Sequence, residues 1–138
     1  MAFSTSYAEA ARQNLGSADA LSEGDRPRRA VAGYLYGLAA ECALKQIGKR
    51  FGSLGMDDDA NDRDNPFMAH FPVLKTLLRD RLQGRMKGEL RGFIENDRFM
   101  HHWDVRQRYA RNGEVNDSWV DDWKGQARDV VGLMNSYE

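Results

Sequence analysis

The residues of this chain with the most chemical potential crowd into one segment, DRFMHHWDVRQRYARN, which runs from Asp97 to Asn112. Histidine is a general acid or base near neutral pH, arginine holds anionic groups, and aromatic rings stack on nucleobases. The candidate catalytic residues are His101, His102, Arg106 and Arg108. The candidate binding residues are Trp103, Asp104, Arg106, Arg108, Tyr109 and Glu41.

The same segment also has a purely structural interpretation. Trp103 and Tyr109 would pin the segment to the rest of the protein, while Arg108 would neutralise a buried acid. The residue types alone do not choose between this interpretation and a functional site.

The buried acid would be Glu41, which lies in YGLAAECAL among apolar and small neighbours. A buried carboxylate needs a partner, because an isolated charge is unstable away from water. Lys45 follows one helical turn later and offers an ordinary helix pair. We predict instead that Glu41 meets Arg108 or Arg106 from the chemically rich segment.

The sequence gives little support for a metal site or for a catalytic nucleophile. The adjacent His101 and His102 cannot easily face one ion, and no third ligand follows at helical spacing. The single cysteine, Cys42, excludes cysteine-based metal clusters and an internal disulfide. No serine or cysteine has an evident activating partner. We predict no metal site and no cofactor.

The composition describes an ordinary globular chain of 138 residues with a formal net charge of −1. Its global field therefore gives no attraction to nucleic acid or to membranes. The amino-terminal sequence lacks a signal-peptide pattern, and the apolar run ending at Ala40 is too short to span a bilayer. We predict one domain, residues 1–138, located in the cytoplasm with no membrane partner.

The central element is a helix over Ala30 to Arg50, with apolar residues at three- and four-residue spacing and Pro27 at its start. Gly33 and Gly37 lie one turn apart on it, which suggests that another backbone comes very close there. That neighbour belongs either to the same chain or to a second copy in a dimer.

Other helices can be placed on both sides of the central one. Ser4 or Ser6 can cap a first helix, with Glu9 in the position that completes a capping box with Ser6. A third helix begins near His70-Phe71-Pro72 and breaks near Gly84, where a weaker fourth helix follows. Ser118 with Asp121 predicts the cap of a last helix, whose inward residues are Val120, Trp123, Ala127, Val130 and Met134. The predicted fold is all-α, an up-and-down antiparallel bundle of four long helices plus one shorter helix.

Three motifs together resemble a known family. YLYGLAAECALK in the central helix, NPF in the following loop and HHWDVRQRYA before the last helix are similar to bacterial members of the HEPN superfamily. The resemblance covers Tyr7 to Met134. It implies a helical bundle, often a homodimer. Relatives of this type include ribonuclease toxins, partners of small nucleotidyltransferases, and non-catalytic binding modules.

The chain departs from the catalytic pattern of that family, an arginine followed by histidine after four to six residues on a late helix. Arg98 is too close to His101, and Arg106 and Arg108 come after both histidines. Arg63 and His70 have the spacing but flank a proline in a loop. The catalytic arginine–histidine pair of the family therefore has no counterpart in this chain. Glu41, Lys45 and the Arg108-Tyr109 element do match family positions, and the resemblance implies a structural role for them.

We therefore predict a HEPN-like binding or accessory module without catalytic activity, acting on or with RNA, a nucleotide or a partner protein. The partner protein would be a nucleotidyltransferase or antitoxin-like chain, and the module itself a homodimer. The alternative is a toxin-like, metal-independent ribonuclease that uses His101 or His102 as the base with Arg106 or Arg108 on the phosphate.

Overall fold

A computed structural model describes residues 4–50, 65–82, 88–111 and 113–137. Throughout these ranges the regular structure is helical, and no strand occurs in them. The α-helices are α1 (Tyr7–Ser22), α2 (Arg26–Arg50), α3 (Val73–Leu82), α4 (Gly88–Ile94) and α5 (Asp117–Ser136). Short 3₁₀-helices cover Pro66–Met68 and Val105–Tyr109.

The first helix begins where its cap predicts. The Ser6 hydroxyl accepts a hydrogen bond from the backbone N–H of Glu9 at 3.2 Å, so Ser6 is the cap of α1. The reciprocal bond from the Glu9 side chain is not found among the described residues, so only half of the predicted capping box forms. Asp25 accepts from the N–H of Arg28 at 3.2 Å and so opens α2 with Pro27 in its first turn.

Helix α2 is the centre of the fold, because it packs against α1, α5 and α3. Arg29 ties its first turns to two neighbours. The guanidinium donates to Asp117 at 3.2 Å, to Asp121 at 2.8 Å and to the carbonyl of Ser22 at 2.9 Å. This arginine therefore joins the end of α1 and the beginning of α5 to α2.

The third helix starts just after Pro72, close to the predicted place, and packs on α4. Leu74 and Leu78 of α3 are buried, whereas Val73 in its first turn is 55% exposed. The predicted break at Gly84 lies outside the described residues. Ahead of α3, the Asn65 side chain accepts from the N–H of Phe67 at 3.0 Å and caps the NPF turn.

The last helix begins at Asp117, two residues earlier than a Ser118 cap allows. Asn116 is the cap residue, and its side chain makes no capping bond, so the predicted capping box of Ser118 and Asp121 is wrong. Asp121 is used instead by Arg29 from α2. The predicted inward face is confirmed, since all five residues are buried: Val120, Trp123, Ala127, Val130 and Met134.

The two glycines of α2 lie against tryptophan rings. At Gly37 an added Cβ would overlap the indole of Trp103, and at Gly33 it would come within 2.9 Å of the Trp123 ring. The predicted close approach therefore occurs within this chain. The prediction of a neighbouring backbone is wrong, because the neighbours are indole rings and glycine makes room for their width. No helix in the described part of the chain is long and apolar enough to cross a bilayer.

Replacement of Gly37 by alanine should destabilise the protein by about 1–3 kcal/mol, because the new methyl group would displace the Trp103 indole. The matched control is Gly125→Ala in α5, where an added Cβ would meet nothing within 4 Å. That variant should gain about 0.5–1 kcal/mol from helix propensity. Urea denaturation measures both, and equal midpoints for the two variants would contradict the indole contact.

Candidate functional site

The chemically rich segment forms a loop whose backbone is bound by side chains of α5 and α3. We call residues 96–104 the site loop. The Gln126 side chain of α5 accepts from the N–H of Met100 at 2.8 Å and donates to the carbonyl of Arg98 at 2.9 Å. The Trp123 indole donates to the carbonyl of His101 at 2.9 Å. These bonds fix the loop against α5 at three points.

Helices α3 and α2 supply the other anchors of the site loop. Lys75 of α3 donates to the carbonyl of Asn96 at 2.6 Å and to that of Phe99 at 3.2 Å. The Trp103 indole donates to the carbonyls of Gly33 at 3.2 Å and Tyr34 at 3.3 Å in α2. Two of the loop carbonyls, those of Asn96 and Arg98, also accept from loop N–H groups, namely from Phe99 at 3.0 Å and from His101 at 3.2 Å. The loop is therefore held rigidly at the meeting point of α2, α3 and α5.

Two residues of the site loop have left-handed backbone angles. Met100 has φ +56° and His102 has φ +71°, a conformation that costs a residue with a side chain roughly 1–2 kcal/mol. Strain of this kind persists only where the surroundings enforce it, and it is common at functional sites. Its effect here is that Met100 is buried while His101 and His102 lie exposed on the surface.

The two histidines stack with Trp119 of α5. The ring centroids of His101 and His102 are 3.8 Å apart with an interplanar angle of 24°. The centroids of His102 and Trp119 are 4.3 Å apart at 17°. We call these three residues the ring stack. Their mutual contact presents a continuous aromatic edge at the surface.

Three clefts surround the ring stack and the following 3₁₀-helix. Cleft A has a volume of about 570 Å³ and is lined by Asn96, Arg98, His101, His102, Trp119 and Asp122 among others. Cleft B has about 410 Å³ and includes His102, Asp104, Arg106, Gln107, Tyr109 and Trp119. Cleft C has about 320 Å³ and includes Ala30, Val31, Tyr34, Gln107, Arg108 and Arg111. All three volumes suit small ligands or parts of larger ones.

The candidate cations are distributed over different clefts. Arg106 is bound to Asp104 through two bonds of 3.0 Å, and Arg106 holds the pKa of Asp104 below its usual range. Arg108 donates to the Tyr34 hydroxyl at 3.4 Å and lies 4.9 Å from the centre of the Tyr109 ring. His101 lines cleft A, Arg106 lines cleft B and Arg108 lines cleft C. His102 is the candidate histidine that shares a cleft with a candidate arginine, Arg106.

The predicted partner of Glu41 is wrong. The Glu41 carboxylate accepts from Nδ1 of His70 at 2.8 Å and from the backbone N–H of Phe71 at 2.7 Å. Arg106 and Arg108 face Asp104 and Tyr34 instead. Burial raises the pKa of Glu41, and the two hydrogen bonds act in the opposite direction. Glu41 is thus an internal acceptor that fixes the chain ahead of α3.

The remaining predicted site residues have clear positions. Trp103 is buried and serves as an anchor, whereas Tyr109 is 75% exposed at the rim of cleft B and pins nothing to the core. Burial raises the pKa of the Cys42 thiol to about 11, which keeps it protonated and unreactive at neutral pH. No group of three or more potential metal ligands occurs in the described ranges.

Sequence reasoning did not identify several residues of the site. Trp119 completes the ring stack, and Gln126 and Lys75 hold the loop backbone. Trp119 sits directly before the inward-facing Val120, where helical periodicity leaves its direction undecided. His70 belongs to an unusual spacing with Arg63, but Arg63 lies outside the described residues. Comparison with family models, curated proteins and solved structures found no match to this chain.

Replacement of Glu41 by glutamine should lower the free energy of unfolding by about 1–3 kcal/mol. The amide keeps one acceptor oxygen but turns an N–H₂ group towards either His70 or Phe71, whose donor then has no acceptor. The matched control is Glu95→Gln, an exposed residue paired with Arg91 at 4.0 Å, which should change stability by less than about 0.5 kcal/mol. Denaturation midpoints that coincide for the two variants would contradict the role of Glu41.

Proposed function

We propose that this chain is a HEPN-like binding module that takes up RNA or a nucleotide without cleaving it. The observation that carries the proposal is the ring stack of His101, His102 and Trp119 at the boundary of clefts A and B. Aromatic side chains that present their edges and faces beside an open cleft are typical receptors for unpaired bases.

Stacking supplies the attraction for the base. His101 ends the ring stack on the side of cleft A and is exposed, so a base entering that cleft can extend the row of rings. Base-on-aromatic stacking contributes about 1–3 kcal/mol per base and accepts every base, since each has a π-face. The rigid anchoring of the site loop lowers the entropy cost of binding, because the rings are already in place.

Arginines supply the attraction for phosphate. Arg98 lines cleft A and Arg106 lines cleft B, so each side of the ring stack has a guanidinium. Asp104 neutralises part of the charge of Arg106 through its two hydrogen bonds. Phosphate binding on this side is therefore moderate, and stacking rather than charge dominates the affinity.

The positions of the histidines favour binding over catalysis. A catalytic histidine is normally oriented by a hydrogen bond from its second ring nitrogen to an acceptor. His101 and His102 make ring contacts with each other and with Trp119, and no side-chain hydrogen bond to either imidazole is found among the described residues. The histidine that does have a carboxylate partner is His70, which lies outside the three clefts.

The alternative function is a metal-independent ribonuclease. One observation favours it, namely that His102 and Arg106 line cleft B together. In that role His102 would remove the proton from a ribose 2′-hydroxyl while Arg106 meets the phosphate charge. Arg106 would first have to leave Asp104, which weakens this alternative.

The HEPN resemblance extends the proposal to architecture and partners. The proposal includes the arrangement of the helices as an up-and-down bundle of four long helices and a shorter one. It also includes assembly as a homodimer and a location in the cytoplasm. A nucleotidyltransferase or antitoxin-like chain is the proposed protein partner. Native mass spectrometry of the purified protein would reveal an attached nucleotide, RNA, second copy or other protein.

Replacement of His102 by glycine should separate binding from stability. Glycine adopts φ +71° freely, so the relief of strain offsets the missing ring contacts and the melting temperature should change little. Binding of adenosine monophosphate, measured by calorimetry, should weaken, because His101 loses the ring that holds it beside cleft A. The loss should not exceed about 1–3 kcal/mol, the contribution of one base stack. His102→Ala should weaken binding equally but remain strained and less stable than the glycine variant. Unchanged binding in both variants would refute the ring stack as the platform.

The wild-type protein should not cleave total RNA in the presence of a chelator that inactivates contaminating metal nucleases. The same assay includes His101→Ala, His102→Ala and Arg106→Ala. If the wild type cleaved RNA and His102→Ala or Arg106→Ala did not, the proposal of a binding module would be wrong and the ribonuclease alternative would take its place.

A further inference from the structure

We propose that the ligand is a single-stranded RNA several nucleotides long, which runs from cleft A across the ring stack into cleft B and over the 3₁₀-helix into cleft C. This inference rests on the proposed function and adds the length of the ligand and the path that it follows. The observations behind it are the shared walls of the clefts, the donors of cleft C and one buried amide without an acceptor.

Neighbouring clefts share lining residues. His102, Trp119 and Trp123 line both cleft A and cleft B. Gln107, Ala110 and Val115 line both cleft B and cleft C. The three clefts therefore follow one another around the surface, separated by the ring stack and by the 3₁₀-helix. A ligand that occupied one cleft alone would leave the adjoining two open.

Cleft C carries hydrogen-bond donors without any lining carboxylate. Arg108, Arg111 and the hydroxyl-bearing Tyr34 line it, together with apolar residues of α2. Neither arginine forms an ion pair within the described ranges, in contrast to Arg106 in cleft B. Clefts A and B both contain acids, among them Asp122 and Asp104 respectively. Cleft C is therefore the place along this path that suits a phosphate best.

Gln107 stands where the path crosses from cleft B to cleft C. Its side-chain oxygen accepts from the N–H of Asp104 at 3.1 Å, which fixes the orientation of the amide. The amide nitrogen is buried and has no hydrogen-bond partner in the described structure. A buried donor without an acceptor is rare in folded proteins and calls for a physical explanation. This nitrogen has almost no accessible surface, so a bound strand would have to draw the Gln107 side chain outward to supply the acceptor.

The continuity of the three clefts, rather than the size of any one, favours a polymer. Each is large enough for roughly one nucleotide, since small-ligand sites measure about 300–1,000 Å³. The strand must be unpaired, because bases in an A-form duplex keep their faces stacked inside the helix and cannot reach the ring stack. Bases would then occupy the aromatic side at clefts A and B, with a phosphate held in cleft C.

The test measures fluorescence anisotropy of labelled uridylate oligomers of about two, four and eight nucleotides, which extend from below the smallest known single-strand sites, about 4 nucleotides, into their range. The octamer should bind at least about tenfold more tightly than the dimer. Salt dependence adds a second readout. For single strands, the slope of log affinity against log salt becomes shallower by about 0.7 for each phosphate that the protein no longer neutralises.

Arg111→Gln in cleft C should make that slope shallower for the octamer by about 0.7 and change it far less for the dimer. The matched control is Arg79→Gln on α3, the same charge change at a residue that lines none of the three clefts. It should leave the slope close to that of the wild type.

The proposed path would be overturned if the dimer and the octamer bound with equal affinity. It would also be overturned if Arg111→Gln and Arg79→Gln gave the same salt dependence of octamer binding. In both cases the proposed function would stand. Failure of every oligomer and of adenosine monophosphate to bind would overturn both.

Discussion

The contact between the Trp103 indole and Gly37 is the constraint on which the rest of the site depends. The indole lies so close to α2 that the helix has room only for glycine at this position. Its N–H reaches two carbonyls of the same helix, those of Gly33 and Tyr34. The ring also stacks on Tyr34 and meets Phe71 edge-on, with centroids 5.7 Å and 6.0 Å away. An irregular stretch of chain thereby acquires a fixed position on the central helix.

Once Trp103 is fixed, the polar backbone of the site loop still has to find partners. Turns within the loop supply some of these partners, and the side chains of Gln126, Trp123 and Lys75 supply others. The interior of the protein therefore satisfies the loop with side chains from helices. The side chains of His101 and His102 take no part in this support, and they stack on Trp119 and face the clefts instead.

The helices could be predicted from the sequence because their periodicity and caps are local signals. The inward face of α5 and the Ser6 cap were identified in this way. The Ser118 cap was not, because the neighbouring Asn116 is also a residue type that caps helices, and α5 begins directly after it. Asp121, the predicted partner of Ser118, is taken by a long-range ion pair with Arg29. All-helical structure was thus accessible from sequence, whereas the exact start of α5 was not, because two nearby residues could each cap it.

The candidate site was harder to predict because its contacts join residues far apart in the chain. The segment itself was recognised by composition, but Glu41 was assigned to an arginine when its donors are His70 and the N–H of Phe71. The negative charge of Glu41 suggested a cationic partner. Nothing in the neighbouring sequence reveals that a distant backbone N–H can donate to the carboxylate instead. Gly33 and Gly37 signalled close packing correctly, yet the sequence does not say that the neighbour is a flat ring.

The anchors of the site loop also decide how this surface can change during evolution or engineering. Donors and acceptors from α5, α3 and α2 meet fixed positions between Asn96 and Trp103, so an inserted or deleted residue would shift every one of these bonds. The number of residues in the loop is therefore constrained, and so is position 102 by its left-handed backbone, whereas position 101 is free of both constraints. New ligand preferences can arise there by substitution alone, with the scaffold left intact.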